Sequence, residues 1–102
     1  MNVFEGIEIG QKGEEIIETI TKSENVKIER IVSYNSFSKK GFYYDNDEYE
    51  FVILLYGEAK LYLESKGMVK LKSGDYMIIE PHDKHSVEYT SNPAVWLCIY
   101  YK

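Results

Sequence analysis

From residue 26 onward, apolar positions alternate with polar ones over short runs, and turn-forming residues separate the runs. GEAKLYLES is the clearest case. Ala59, Leu61 and Leu63 alternate with Lys60, Tyr62 and Glu64, the period of a strand with one buried face. FVILLYG, just before it, is too short and too rich in branched residues for an ordinary globular helix, so it also reads as a strand. In NVKIERIVSY, Val26 and Ile28 point together and Ile31 breaks the alternation, which predicts a bulge or burial on both faces. MVKL, YMIIE, HSVEY and AVWLCIYY supply further strands, parted by turns at SKG, KSGD and SNP, while NSFSKKG is a loop in which Lys39 and Lys40 are solvated charges or draw an anionic ligand toward a pocket. Many short strands, with no βα alternation and no solenoid repeat, predict an all-β fold of the double-sheet jelly-roll type.

The first 25 residues permit more than one arrangement. Glycines at 6, 10 and 13 predict an extended arm with turns. In EEIIETITKS, Ile16, Ile17 and Ile20 would line one side of a short helix, whereas Ile16 and Ile20 among polar neighbours suit a strand. Thr19, Thr21 and the branched isoleucines favour the strand. Residues 1–25 are thus expected to be an arm against a second subunit or an edge strand, within a single domain of residues 1–102.

Composition narrows the function. A chain of 102 residues holds one core short of comfortable stability, which favours a homodimer. A formal charge of -5 argues against a nucleic-acid partner, which would require a basic face. One cysteine, Cys98, cannot form an internal disulfide, and its apolar neighbours predict a buried thiol. No secretory signal is evident and no apolar run approaches a membrane span, so a cytoplasmic protein without membrane contact is expected.

Few residues are equipped for chemistry. His85 offers a nitrogen lone pair near neutral pH, and His82 lies three residues before it in EPHDKH. Glu50 precedes FVILLYG; if it shares the inward face with Val52 and Leu54, its burial requires a cation or several donors. Asp45 would supply a further oxygen or simply keep the acidic DNDEYE loop soluble; that loop lacks the glycine and later glutamate of a calcium-binding hand. Tyr43, neutral at an ordinary phenol pKa, suits a hydrogen-bonding role toward a bound molecule. Trp96 lines a pocket or packs the core, and Tyr56, Tyr62, Tyr76, Tyr89, Tyr100 and Tyr101 read as packing residues with a polar tip.

The spacing of these residues resembles the cupin superfamily, in particular its small single-domain members with a stretch like EYEFVILLYGEAKLYL. Glu50 and Gly57 have the spacing of the end of the first cupin motif, and Tyr43 and Asp45 fall where its two histidines stand. Gly74, Glu80 and His85 fit the frame of the second motif, with Pro81 one place past the usual proline and His82 in place of a glycine. The resemblance spans about residues 26 to 101. It implies a double-stranded β-helix barrel with a divalent metal (zinc, iron, manganese or nickel) held by Glu50 and His85, with Asp45 and His82 as auxiliary ligands. Cupins also include isomerases, dioxygenases, sugar-binding proteins and metal-free regulators. A metal-free pocket for a small organic ligand, and a non-catalytic dimeric scaffold, therefore stand beside the metal reading.

Overall fold

The computed structural model describes residues 1–8 and 10–102. Its regular elements are eight strands: β1 (Glu14–Lys22), β2 (Val26–Tyr34), β3 (Tyr49–Tyr56), β4 (Glu58–Leu63), β5 (Gly67–Lys72), β6 (Tyr76–Ile79), β7 (His85–Thr90) and β8 (Ala94–Tyr101). They form a five-stranded sheet of order β1-β2-β8-β3-β6 and a three-stranded sheet of order β5-β4-β7. All ladders are antiparallel, and among the described residues none joins one sheet to the other. No helix among them is long and apolar enough to cross a membrane.

The chain passes between sheets at tight turns, the sharpest being Gly57 between β3 and β4. Gly57 has φ +97, and a Cβ there would meet Ser91 Oγ and the Pro93 carbonyl. Both the backbone conformation and the close approach demand glycine.

Alternation then decides what faces inward. Along β3, Glu50, Val52 and Leu54 are buried. Register aligns them with β8, where Glu50 lies opposite Tyr100, Val52 opposite Cys98 and Leu54 opposite Trp96. On its other side β8 brings Tyr100, Cys98 and Trp96 opposite Lys27, Glu29 and Ile31 of β2. This inner face packs on Ala59, Leu61, Leu63 and Leu71 of the smaller sheet. Leu54 and Leu63 have no solvent exposure, and burying each contributes about 1.5–3 kcal/mol.

The two sheets differ on their outward faces. The three-stranded sheet turns Glu58, Lys60, Lys70 and Lys72 to solvent, whereas the five-stranded sheet presents Phe51, Ile53, Leu97 and Ile99. The N-terminal arm covers only part of that apolar face. Arg30 donates to the Val3 carbonyl at 3.0 Å and the Glu5 carbonyl at 2.6 Å and pairs with Glu18, while Tyr34 donates to the Glu8 carbonyl. Gly10 lies directly against the Tyr34 ring, leaving no room for a side chain.

EEIIETITKS is a strand, and β1 is an edge of the larger sheet. The broken alternation of NVKIERIVSY reflects burial on both faces, with Ile31 turned inward and Arg30 and Val32 buried on the outside. The irregularity sits in its neighbour instead, where the β1 register shifts between Thr19 and Thr21.

Candidate functional site

Two inward-facing residues from different sheets meet at one end of the interior. Strand alternation turns Glu50 in from β3 at 7 % exposure, and His85, the first residue of β7, turns in from the opposite sheet at 5 %. Glu50 Oε1 stands 3.6 Å from His85 Nε2, an ion-pair distance too long for a hydrogen bond. His85 Nδ1–H donates to the Asp83 carbonyl at 2.9 Å, so that bond fixes the ring and leaves Nε2 toward Glu50.

The loop between β2 and β3 completes the arrangement. Tyr44 and His85 exchange backbone hydrogen bonds of 2.7 and 3.1 Å, and the phenol ring stacks on the imidazole with centroids 5.4 Å apart. Asn46 Nδ2 donates to Glu50 Oε1 at 3.3 Å. Beyond this pair lies a cavity of about 240 Å³ with Tyr44, Trp96, Cys98 and Tyr100 among its walls, reaching Glu15 and Ile17 of β1. Trp96 Nε1–H donates to Ser33 Oγ at 3.2 Å, which leaves its ring as wall. Lys27 also lines the cavity, with its ammonium 3.5 Å from Glu29 and 4.7 Å from the centre of the Tyr100 ring.

Burial and charge set the protonation states. Burial alone lowers the His85 pKa, but the Glu50 carboxylate and the Asp83 carbonyl outweigh it, and the net shift is upward. Burial raises Tyr44 and Tyr100, with the Glu50 charge adding to both. Burial raises the Cys98 thiol well above its ordinary value, and Glu50 again adds. Near neutral pH these phenols and the thiol are therefore protonated, and the cavity presents hydroxyl donors beside a buried acid–imidazole pair.

Of the residues singled out in the sequence, Glu50 and His85 converge and Trp96 lines the same cavity. Asp45 and His82 pair with each other at 2.8 Å, both largely exposed and outside the cavity wall. His82 N–H also donates to the Asn46 carbonyl at 2.7 Å, so this pair clasps two loops together. Tyr43 is 49 % exposed and rests against Tyr62 with ring centroids 6.4 Å apart, away from the cavity. Its neighbour Tyr44 takes the place beside His85, and Tyr100, read from the sequence as packing, is a wall residue. The alternation Trp96, Cys98, Tyr100 carried the signal for Tyr100; nothing periodic in the loop marked Tyr44 or Asn46.

The donor set is thin for a metal. A catalytic zinc site ordinarily takes three protein ligands, and among the described residues no three His, Cys, Asp or Glu side chains form a group able to hold an ion. Asp45 and His82 are spent on each other, and Cys98 would first have to lose a firmly held proton. Glu50 and His85 alone amount to half of a four-coordinate shell.

Residues 35–100 match the family model described as a cupin domain. A structure from Ralstonia eutropha JMP134, titled a "putative mannose-6-phosphate isomerase", is 30 % identical with a TM-score of 0.94, covering 100 % of this chain and 96 % of that one. A cupin superfamily protein from Desulfitobacterium hafniense DCB-2 has a TM-score of 0.79 at 16 % identity, covering 93 % of this chain and 83 % of its own. An uncharacterised conserved protein from Klebsiella pneumoniae with a double-stranded β-helix domain also has a TM-score of 0.79 at 16 % identity, covering 99 % and 87 %. No curated protein matches. With two facing antiparallel sheets in this topology and a family match over most of its length, the chain belongs to the cupin family.

Proposed function

We propose that this cupin binds a compact organic molecule in the cavity, without a metal, using Glu50 and His85 as a paired acceptor and donor. The observation that carries the reading is their convergence at 3.6 Å against a cavity walled by aromatic rings. At that separation neither group saturates the other. A ligand hydroxyl can donate to Glu50 and, when His85 is protonated, accept from its Nε2–H, while Tyr44 and Tyr100 offer further donors. The same pair is placed to move a proton to or from such a hydroxyl, the elementary step of general acid–base catalysis.

Size and charge narrow the ligand. A cavity of about 240 Å³ suits a compact ligand. The wall carries Glu15, Glu29, Glu48 and Glu50, and Lys27 is its one lysine or arginine among the described residues, already engaged by Glu29 and Tyr100. A phosphate dianion would meet net repulsion there. The sugar-phosphate chemistry in the Ralstonia protein's name is thus a poor match for this cavity, and a neutral or cationic ligand fits better. The competing reading, a divalent cation on Glu50 and His85, draws support from the same convergence.

Isothermal titration of metal-stripped protein separates these readings. Small polyols and amines should bind, and Glu50→Gln and His85→Gln should each weaken them about tenfold or more, the equivalent of one lost charge-assisted hydrogen bond. Stoichiometric binding of zinc, manganese, nickel or ferrous iron that disappears in His85→Gln would replace this reading with the metal one. Preferential binding of hexose phosphates would restore the isomerase analogy.

A further inference from the structure

We infer that the Tyr100 face of the cavity is an ammonium site, which Lys27 fills from within the chain and an alkylammonium ligand takes over. The inference rests on the ligand-binding reading above and names the chemical class of the ligand. Register sets the geometry. Lys27 pairs with Tyr100 across the β2–β8 ladder, and Glu50 pairs with Tyr100 across the β3–β8 ladder, so the three lie on one inward row. Adjacent strands are about 4.8 Å apart, which places the phenol between a lysine and a buried carboxylate. The Lys27 ammonium is 4.7 Å from the centre of the Tyr100 ring, within the range at which a cation is attracted to an aromatic face. All three side chains line the cavity.

Lys27 holds this place loosely. Its contact with Glu29, at 3.5 Å, is too long for a strong charge-assisted hydrogen bond. Lys22 of β1 stands directly opposite Lys27, and like charges in that relation repel. The Lys27 side chain is 34 % exposed, so its ammonium can leave the ring for water without crossing the core. A free alkylammonium offers the same charge and the same N–H donors. Unlike Lys27, it is not tied to a strand beside Lys22, and it can advance along the row to Glu50. Charge then decides between an ammonium and a hydroxyl. Glu15, Glu29, Glu48 and Glu50 line the cavity, and among the described residues no lysine, arginine or histidine pairs with Glu15 or Glu48. A bound cation gains from that field and from the Tyr100 ring, whereas a neutral alcohol gains from neither.

Two probes of matched size test this by titration of metal-stripped protein at neutral pH: n-butylammonium, which reproduces the lysine side chain, and n-butanol. On the native chain the ammonium should bind about tenfold or more tightly than the alcohol. Lys27→Met keeps the apolar stem and removes the competing charge, so it should tighten the ammonium about tenfold and the alcohol far less. Lys22→Met removes a neighbouring charge that does not lie over the ring, and should tighten the ammonium less. Tyr100→Leu should weaken the ammonium more than Tyr100→Phe does, since only leucine removes the ring. Circular dichroism checks each variant for retained β structure, and the comparison of probes on the native chain needs no variant. An alcohol that binds as tightly as the ammonium would overturn the ammonium site and leave the ligand-binding reading standing, whereas failure of both probes to bind would overturn the two together. An ammonium preference that folded Lys27→Met leaves unchanged, or that Lys22→Met improves equally, would overturn the place given to Lys27.

Discussion

His85 is pulled in two directions, and the balance has a measurable sign. Burial opposes its charge, while Glu50 and the Asp83 carbonyl favour it strongly enough to raise its pKa. A group whose folded pKa exceeds its unfolded value contributes stability that is complete below the unfolded pKa, near 6.5, and fades as pH rises through the folded one. Urea unfolding of the native chain and His85→Gln should therefore differ most below the unfolded pKa, and the difference should shrink by about 1–3 kcal/mol as pH rises through the folded one. A gap that widened with pH would contradict the assignment. Glu50→Gln should lower the His85 titration, followed by imidazole NMR shifts, since the raising influence of the Glu50 carboxylate is lost while burial remains. An unchanged titration would mean that the two groups are uncoupled. Convergence was legible in the sequence because Glu50, second in β3, and His85, first in β7, lie on strands whose alternation fixes which way a side chain points. Tyr43, Asp45 and His82 lie in loops without that rule, and counting motif positions there locates a residue without orienting it. The backbone bridge between Tyr44 and His85 sets the orientation instead: it brings the Tyr44 ring onto the imidazole and leaves Tyr43 outside.

Among the elements, the N-terminal arm and β1 owe their place to few groups. Every β1 residue is exposed, so its attachment rests largely on the β2 ladder and on Arg30, which joins the arm, β1 and β2. Arg30→Met retains an apolar stem but removes those bonds. It should cost about 1–3 kcal/mol, with hydrogen exchange accelerated in residues 2–8 and in β1 ahead of the other strands. Uniform acceleration across both sheets would argue that the arm is not a separate unit. The strand character of β1 was legible from its branched residues, whereas its partner was not. A hydrophobic period reports which face is buried and is silent about which neighbour supplies the ladder. At the β3–β4 corner, Gly57→Ala should destabilise by about 1–3 kcal/mol from the positive φ alone, and the contact with Ser91 Oγ adds to that. Chemical denaturation measures it, and a change below about 0.5 kcal/mol would show that the corner relaxes freely.

At the scale of the whole molecule, pairing is predominantly long-range. The ladder between β2 and β8 places Val26 opposite Tyr101, so much of the chain must be gathered before the larger sheet closes. Folding of the main population is expected in milliseconds to seconds, and a stopped-flow rate in the microsecond range would contradict this topology. The all-β class was legible because binary patterning is local, but the division into five and three strands was not, since long-range order leaves no period in the chain. Strand β8 stands at the centre of this arrangement, giving Trp96, Cys98 and Tyr100 to the cavity and Leu97 and Ile99 to the outward face. A single layer of backbone therefore separates the cavity from that outward face. Occupancy of the cavity and any event on that face belong to one thermodynamic cycle. By whatever factor an event on the face changes affinity in the cavity, occupancy of the cavity changes that event reciprocally, so a titration of either one reads out any coupling between them.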